Sequence, residues 1–319
     1  MAPVLLHGEP AGQVNLPETD VFTVAAFAVQ RPDPDFDFQN LAYHLEQASR
    51  PDLILLSGVV ADQPKPAARA TFGEFAGDMR FSWTAVREQV QPQTALATYH
   101  VIFSRLPLED IHCFHLPSEA AAGLSANPSG WVGDRCALRT TIRKYGHDLG
   151  VTVLRLEPHT CPAGRARQLD AVFRHASNGN GLPSTPQPRL VFGGFNSQIL
   201  DGEGTDSAHE QLEAERIERN DPHAFVNPVS REPLFAVAAS HGFTWDPFNE
   251  PFQATTRHPF TQQPAKLDWF LGCDLAHHVR RIEANSLKCS NPALREDKFA
   301  KNLVLELNTP FVGVEHLRN

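Results

Sequence analysis

The sequence contains no apolar run that approaches the roughly 20 residues needed to cross a bilayer. Its first residues have neither the basic start nor the long apolar stretch of a signal peptide, and the Arg-rich, acid-poor start of an organelle transit peptide is missing as well. These absences predict a soluble intracellular protein without membrane insertion, cytoplasmic by default, with an organelle as the open alternative.

Cysteine is scarce, with five residues in the whole chain. The number is odd, the positions are scattered and no Cys-x-x-Cys pair is present, so neither a disulfide framework nor a zinc knuckle is indicated. We therefore expect reduced thiols at Cys113, Cys136, Cys161, Cys273 and Cys289.

Positive charge is also in short supply, because 28 Lys and Arg residues face 37 Asp and Glu residues and the formal net charge is -9. Tight, unspecific binding to nucleic acid draws on clustered Lys and Arg, so this balance disfavours it. One local basic cluster remains, and its simplest interpretation is a solvated strand face. It consists of Arg135, Arg139, Arg143 and Lys144.

Two apolar, β-prone runs separated by a helical pattern dominate the first part of the chain. Segment 21–30 predicts a buried strand and segment 52–60 a second one. Between them, Asp37 caps a predicted helix over 38–48, whose apolar residues recur at helical spacing. This order is that of a β-α-β unit. Residues 61–95, rich in Ala, Pro and Gln, are interpreted as a long irregular excursion over the sheet.

The second part of the chain adds further strands and helices. Segments 136–142 and 150–156 alternate around a polar turn and predict a hairpin. The apolar run 189–194 ends at a Gly-Gly turn and presents Asn196 and Ser197, as buried strands do at the site-bearing edge of α/β sheets. The other predicted elements are an amphipathic helix over 165–176, a charge-rich helical stretch over 207–219, a helix over 234–241 stopped by Gly242, and strands over 265–271 and 301–307.

Six segments in the correct order carry a resemblance to one superfamily, and three of them match its motifs as follows. Gly193-Gly194-Phe195-Asn196 resembles the Gly-Asp-Phe-Asn strand end of the endonuclease/exonuclease/phosphatase superfamily, the deoxyribonuclease-like metal-dependent phosphodiesterases. Segment 101–108, which contains Ser104-Arg105-Leu-Pro, is similar to the family's strand closing in Ser-Arg-x-Pro. Segment 265–271 is similar to its Arg-Ile-Asp-Tyr-Ile-Phe strand, with Asp268 retained.

The resemblance implies a four-layered α/β sandwich, in which two mixed β-sheets pack face to face with helices outside. It covers the chain from residue 21 to residue 307, and the sequence shows no internal repeat. We therefore predict an N-terminal extension over 1–20, a single domain over 21–310 and a C-terminal tail over 311–319.

Most of the family's catalytic positions are changed in this sequence. The resemblance leaves Asn196, Asp268 and Asp297 as vestigial site residues. The family's lost groups, named with the residues that replace them, are asparagine at Ala28, the chief magnesium-binding glutamate at Gly58, histidine at Glu157, aspartate at Gly194 and histidine at Lys298. A small shift of register would use His159 in place of Glu157, and another would use Ser290-Asn291-Pro292 in the last motif.

These losses predict a catalytically inactive protein. Family chemistry requires hard cations held by carboxylates and an amide, together with groups that position water. With those groups missing, we expect no catalytic residues, no bound metal and no cofactor. Lys298 would itself repel a cation and could neutralise Asp297 or Asp268. The hypothesis is a structural or binding subunit of a larger protein or ribonucleoprotein assembly, with protein partners.

Two alternatives remain open at the level of sequence. The first is an active Mg-dependent phosphodiesterase or nuclease with a rearranged metal centre beside Asn196 and Asp268, built from His159, Glu157, Asp246 and His258, with His277-His278 as a further histidine-rich segment. The second is a non-catalytic binder of nucleic acid, RNA included, or of a phospholigand. Its candidate phosphate contacts are Arg105, Arg155 and Lys298.

Overall fold

The computed structural model describes residues 4–7, 21–28, 38, 41–42, 45, 51–61, 65–90, 97–117, 135–144, 147–157, 160–177, 187–197, 227–230, 232–257, 264–286 and 301–308. The α-helices with defined bounds are α1 (Lys65–Asp78), α2 (Pro162–Ser177) and α3 (Pro233–Ser240), and the described residues Phe38, Leu41, Ala42 and Leu45 are helical as well. The strands are β1 (Val4–His7), β2 (Val21–Ala28), β3 (Leu53–Ala61), β4 (Trp83–Val90), β5 (Ala97–Ser104), β6 (Leu108–His115), β7 (Cys136–Lys144), β8 (His147–Arg155), β9 (Arg189–Gly194), β10 (Thr256–Arg257), β11 (Pro264–Ala265), β12 (Asp268–Cys273), β13 (Val279–Ser286) and β14 (Lys301–Asn308).

The longer strands form two mixed sheets. Sheet A has the order β1-β4-β5-β3-β2-β14-β13, and sheet B has the order β12-β9-β8-β7-β6. The pairs β2/β3 and β8/β9 are parallel, whereas the other neighbours are antiparallel. The parallel β2/β3 pair confirms the predicted β-α-β order, and the antiparallel β7/β8 pair confirms the predicted hairpin.

Three apolar layers fill the spaces around the sheets. The inner layer joins the facing sides of the two sheets and includes Val24, Leu55, Val153 and Phe270. A second layer packs α1 on the outer face of sheet A, and a third packs α2 and α3 on the outer face of sheet B. The predicted four-layered α/β sandwich, with helices outside two face-to-face sheets, is therefore confirmed.

The interpretation of residues 61–95 as an irregular excursion is wrong, because this segment contains α1 and β4. Helix α1 buries Phe72, Phe75 and Ala76 against sheet A, but Gly73 and Gly77 weaken the helical pattern in the sequence. In β4 the buried polar pair Arg87 and Glu88 interrupts the apolar alternation that would have indicated a strand.

Four further predicted segments lie partly or wholly outside the described residues. Strand β1 lies within the predicted N-terminal extension and pairs with β4 at the edge of sheet A. Leu41 and Leu45 of the predicted helix over 38–48 are buried in the layer outside sheet A. The charge-rich stretch 207–219 and the tail 311–319 lie outside the described residues. No helix within the described ranges is long and apolar enough to cross a membrane.

Candidate functional site

Five strand ends meet at one end of the sandwich, which we call the site edge. Parallel pairing brings the ends of β2 and β3 together, with Ala28 opposite Ser57, and those of β8 and β9 together, with Arg155 opposite Gly194. Strand β12 begins at the same edge, where Asp268 pairs with Gly194. The Ser57 hydroxyl donates a 2.7 Å hydrogen bond to the Leu154 carbonyl and so links sheet A to sheet B there.

Gly194 lies between a buried cation and a buried anion. Arg155 and Asp268 pair with it from its two sides, and they are 7% and 4% exposed. The pKa of Arg155 is lowered to about 10, chiefly by burial and then by the positive charge of Arg135, whereas the carboxylates of Asp268 and Glu157 oppose the change. The missing aspartate side chain therefore leaves a position flanked by Arg155 and Asp268.

Glu157 is held by a second buried guanidinium group. Its two carboxylate oxygens accept hydrogen bonds of 2.9 and 3.3 Å from Arg135, and its backbone N–H donates to the Gln168 side chain at 2.8 Å. Both charged side chains are nearly inaccessible to solvent. A bidentate pair of this kind occupies both oxygens of the carboxylate that stands where the family has histidine.

The predicted solvated face over Arg135, Arg139, Arg143 and Lys144 is thereby corrected. Only Arg143 is exposed, and it pairs with Asp148 and Glu109. The other three are buried, because sheet B is covered on both faces and β7 lies in its interior. Lys144 donates a hydrogen bond to the Val21 carbonyl at 3.1 Å, so it ties sheet B to sheet A.

Asn196 is fixed in a conformation that asparagine tolerates better than most residues. Its φ is 50°, and its side-chain Nδ2 donates to the Leu156 carbonyl at 2.7 Å. The backbone N–H groups of Phe195 and Asn196 both donate to the Leu267 carbonyl. The Asn196 Oδ1 atom is buried and has no hydrogen-bond partner among the described residues. Among the described residues, this oxygen therefore keeps an unfilled acceptor position.

Gly58, where the resemblance expects the family's chief metal ligand, has a positive φ of 77°. It lies at a β-bulge, because the pairing of β3 with β5 shifts between Ser57 and Val59. Ala28, in place of the family's asparagine, is part of the apolar layer between the sheets. Neither position offers an oxygen or nitrogen side-chain ligand.

Arg105 lies away from the site edge. It follows β5 at the end where Ser104 pairs with Leu53, the first residue of β3, whereas the site edge is at the other end of β3. Its guanidinium donates to the carbonyls of Pro51 and Met79 and lies over the ring of Phe81. The structure thus places Arg105 outside the candidate site, and Arg155 inside it but buried beside Asp268.

Several candidate residues lie outside the described ranges, namely Asp297, Lys298, His159 and His258. Of the remaining members of the alternative metal centre, Glu157 is bound to Arg135 and Asp246 is exposed in a short 3-10 helix. His278 Nδ1 donates a 3.1 Å hydrogen bond to the carbonyl of Asn308, the last residue of β14. Among the described residues no group of three or more His, Cys, Asp or Glu side chains is arranged to hold a metal ion.

The described residues do not fit the hard cation that the fold implies. Such a cation prefers several carboxylate and carbonyl oxygens. Here Asp268 lies beside Arg155, Glu157 is bound to Arg135, and Asn196 Oδ1 is a single amide oxygen without a partner among the described residues. The buried guanidinium groups of Arg135 and Arg155 would repel a divalent ion at the site edge, because the dielectric constant there is low.

A second polar group that the sequence did not reveal lines the gap between the sheets beside the site edge. It contains two cysteines and three basic side chains, and we call it the thiol cluster. Arg87 approaches His115 at 3.5 Å, and His100 Nδ1 is buried without a partner among the described residues. Its members are Arg87, His100, Cys113, His115 and Cys136. Strand β4 carries Arg87, so the missed strand also hid this cluster.

These sheets and site edge define the α/β sandwich fold of the endonuclease/exonuclease/phosphatase superfamily, as the resemblance predicted. Solved structures share it. A family protein from Leptotrichia buccalis matches with a TM-score of 0.56 at 10% identity, covering 90% of this chain and 100% of that chain. The catalytic domain of human Nocturnin with bound sulfate matches with a TM-score of 0.53 at 13% identity, covering 95% and 96%.

An AP endonuclease from Archaeoglobus fulgidus matches with a TM-score of 0.52 at 13% identity, covering 90% of this chain and 100% of that chain. At these identities the likeness establishes the fold, while the site must be judged from its own residues. Comparison of the sequence with protein-family models and with curated proteins finds no match.

Proposed function

We propose that this protein is a catalytically inactive form of the endonuclease/exonuclease/phosphatase fold that serves as a structural or binding subunit. One observation carries the proposal. The acidic groups described at the site edge, Asp268 and Glu157, lie with the buried guanidinium groups of Arg155 and Arg135. Two positive and two negative charges therefore balance inside the protein without an added cation.

Metal-dependent hydrolysis of a phosphodiester, which the resemblance implies for this fold, needs carboxylates that are missing from the site edge. Hydrolysis of a phosphodiester requires stabilisation of charge on the phosphoryl oxygens and a positioned water. The loss of one such group typically reduces the rate by a factor of about 10² to 10⁴. Gly58 and Gly194 remove two carboxylates, and Arg135 occupies the oxygens of Glu157. Such a set of changes supports loss of turnover.

A protein that keeps its fold but not its reactive groups is suited to binding. Buried hydrophobic residues fill the layers between and outside the sheets, and the described charged groups at the site edge lie next to groups of opposite charge. We therefore expect the fold to be stable without a bound metal. We place the function in a larger assembly, made of protein alone or of protein and RNA, in which this chain contacts other proteins.

The first test is a magnesium titration by calorimetry on metal-stripped full-length protein, with a phosphodiester hydrolysis assay on the same sample. We expect neither binding nor turnover. Magnesium-dependent hydrolysis that is abolished by Asp268→Ala, but kept in Asp78→Ala, would overturn the proposal. The exposed Asp78 is a suitable control because it is acidic, ends helix α1 and belongs to none of the candidate sites.

The second test concerns the assembly. The native protein is separated by size from cell extract with and without ribonuclease treatment. A protein assembly predicts migration well above the mass of 35.3 kDa that ribonuclease leaves unchanged, and a ribonucleoprotein predicts a ribonuclease-sensitive shift. Migration as a free monomer in both samples would remove the subunit role.

A further inference from the structure

Cys113 and Cys136 lie side by side on the inner face of sheet B. Cys136 pairs with His115, and Cys113 pairs with Leu138, so the two cysteines occupy diagonal positions on neighbouring strands. Leu138 belongs to the inner apolar layer, which places both thiols on the side that faces sheet A. The two thiols are close enough for the Cys113 S–H to donate a hydrogen bond to Cys136.

The surroundings of Cys136 favour a thiolate. The hydrogen bond from Cys113 lowers the pKa of Cys136 well below its usual range, against the opposing effect of burial, and His100 and Arg87 lower it further. The same hydrogen bond, with burial, raises the pKa of Cys113. One sulfur is thus prepared as the nucleophile and its neighbour as the proton donor.

The two cysteines also differ in accessibility. Cys136 is fully buried, whereas Cys113 is half-buried and lies on β6, the edge strand of sheet B. A bulge between Glu109 and His112 interrupts the pairing of β6 just before Cys113. Diagonal cross-strand positions have Cα atoms about 7 to 8 Å apart, slightly more than a disulfide spans. Movement of an edge strand at a bulge can supply the difference.

We propose that Cys113 and Cys136 form an oxidative modification site, at which a hydroperoxide converts the thiol pair into an intramolecular disulfide. The site is separate from the proposed function, because it depends on the thiol cluster and on none of the acidic groups at the site edge.

The reaction proceeds in two balanced steps. The Cys136 thiolate attacks the terminal oxygen of the hydroperoxide, an S–O bond forms, the O–O bond breaks, and the departing oxygen takes the proton of Cys113. The Cys113 thiolate then attacks the sulfur of the Cys136 sulfenic acid, the S–S bond forms, and hydroxide leaves and is protonated to water. Two thiols lose two electrons, and hydrogen peroxide would yield two waters.

The disulfide would change the charge between the sheets. It removes the thiolate that faces Arg87 and His100 and leaves the guanidinium charge of Arg87 beside His115. These side chains lie in the gap between sheets A and B, in line with Ser57, which links the sheets through the Leu154 carbonyl. Oxidation is therefore expected to loosen the site edge.

The test treats the full-length protein with hydrogen peroxide at neutral pH and maps disulfides by mass spectrometry without reduction. We expect a peptide pair linked through Cys113 and Cys136, formed about tenfold faster than oxidation of Cys161, because the pKa of Cys136 is lowered and Cys113 lies beside it on the neighbouring strand. Cys161 is the internal reference, since it is half-buried like Cys113.

Two variants complete the test. Cys113→Ser keeps a hydroxyl donor beside Cys136, so it should prevent the disulfide and leave a Cys136 sulfenic acid that dimedone traps when the protein is unfolded, whereas the control Cys161→Ser should form the disulfide at the wild-type rate. The proposal is overturned if both thiols of the oxidised wild type are still alkylated after unfolding, or if the pair reacts no faster than Cys161. If Cys113→Ser does not fold, the wild-type peptide map and its rates decide alone.

Discussion

Arg155 and Asp268 flank Gly194 from opposite sides, each as its direct partner on a neighbouring strand. The glycine has no side chain to separate them, and the charge of Asp268 acts on the buried guanidinium of Arg155. An internal cation thus stands close to the place where the resemblance expects an aspartate and a metal-dependent site. This arrangement explains why restoring one carboxylate should not restore a metal site.

We predict that Gly194→Asp alone gives no magnesium-dependent rise in melting temperature, because Arg155 neutralises the added carboxylate. Combining it with Arg155→Gln removes the competing cation and leaves carboxylate oxygens beside Asn196 Oδ1. Saturation to about 100 times the dissociation constant would then stabilise the fold by about 2.7 kcal/mol, or several degrees. Arg155→Gln alone is the control. A magnesium response in Gly194→Asp alone would show that Arg155 is not the barrier.

The Arg135–Glu157 pair should contribute strongly to stability when it is broken from one side. Glu157→Gln leaves the buried Arg135 charge without its partner, and we expect a loss of about 3–5 kcal/mol in the free energy of unfolding by urea. Replacing both residues, as in Arg135→Met with Glu157→Met, should recover most of that loss. The exposed Arg143→Gln serves as control and should leave the urea midpoint unchanged. Equal losses in the single and double variants would contradict the pairing.

Lys266 should make stability depend on pH in the alkaline range. Burial lowers the pKa of Lys266 from 10.5 to about 8, although its ammonium donates to the Glu250 carbonyl at 2.7 Å and lies over the Trp269 ring. Between these two values the unfolded chain binds the proton more tightly than the folded chain does, so stability rises with pH.

The expected gain from this lysine is on the order of 2–3 kcal/mol between pH 8 and pH 10.5. Urea unfolding at several pH values measures it, and the difference between wild type and Lys266→Met isolates it from other titrating groups. The Lys266→Met curve should be flatter across this window. If the stability of the two proteins changes with pH in parallel, burial does not lower the pKa of Lys266.

Close packing between β8 and β9 requires glycine at position 193. A Cβ atom there would overlap the carbonyl oxygen of Leu154. We expect Gly193→Ala to lower the free energy of unfolding by about 1–3 kcal/mol, as overpacking does. Gly73→Ala is the matched control, because its Cβ would meet open space on α1 and should stabilise the helix by up to about 1 kcal/mol. Similar effects of the two substitutions would show that the strands can separate at no cost.

The strands that frame the site edge could be predicted because they are continuous apolar runs bounded by turn residues. β2, β3, β8 and β9 are of this kind. Strand β4 could not, because Arg87 and Glu88 are buried in it, and burial of such groups depends on partners that come from other strands.

The sequence shows which residues stand at the positions of the family's motifs, but it does not show which groups those residues contact. Gly58 and Gly194 can be read from the sequence once the neighbouring strands are aligned with the family's motifs. The pairing of Arg135 with Glu157 joins residues 22 positions apart, and it depends on how the segment before β7 lies against the end of β8. The alternation of residues along a single strand carries no information on such a contact, which is why the sequence alone predicts a solvated face for Arg135.

The bulge at Gly58 bears on the evolutionary history of the chain. A single mutation to glutamate would put a side chain on a backbone with a φ of 77°, which costs about 1–2 kcal/mol for a residue other than glycine. To relieve that strain, the pairing of the last residues of β3 with β5 would have to move by one position. A glutamate at this position would therefore need coordinated changes along β3 and β5, and one substitution alone would not place a metal ligand there.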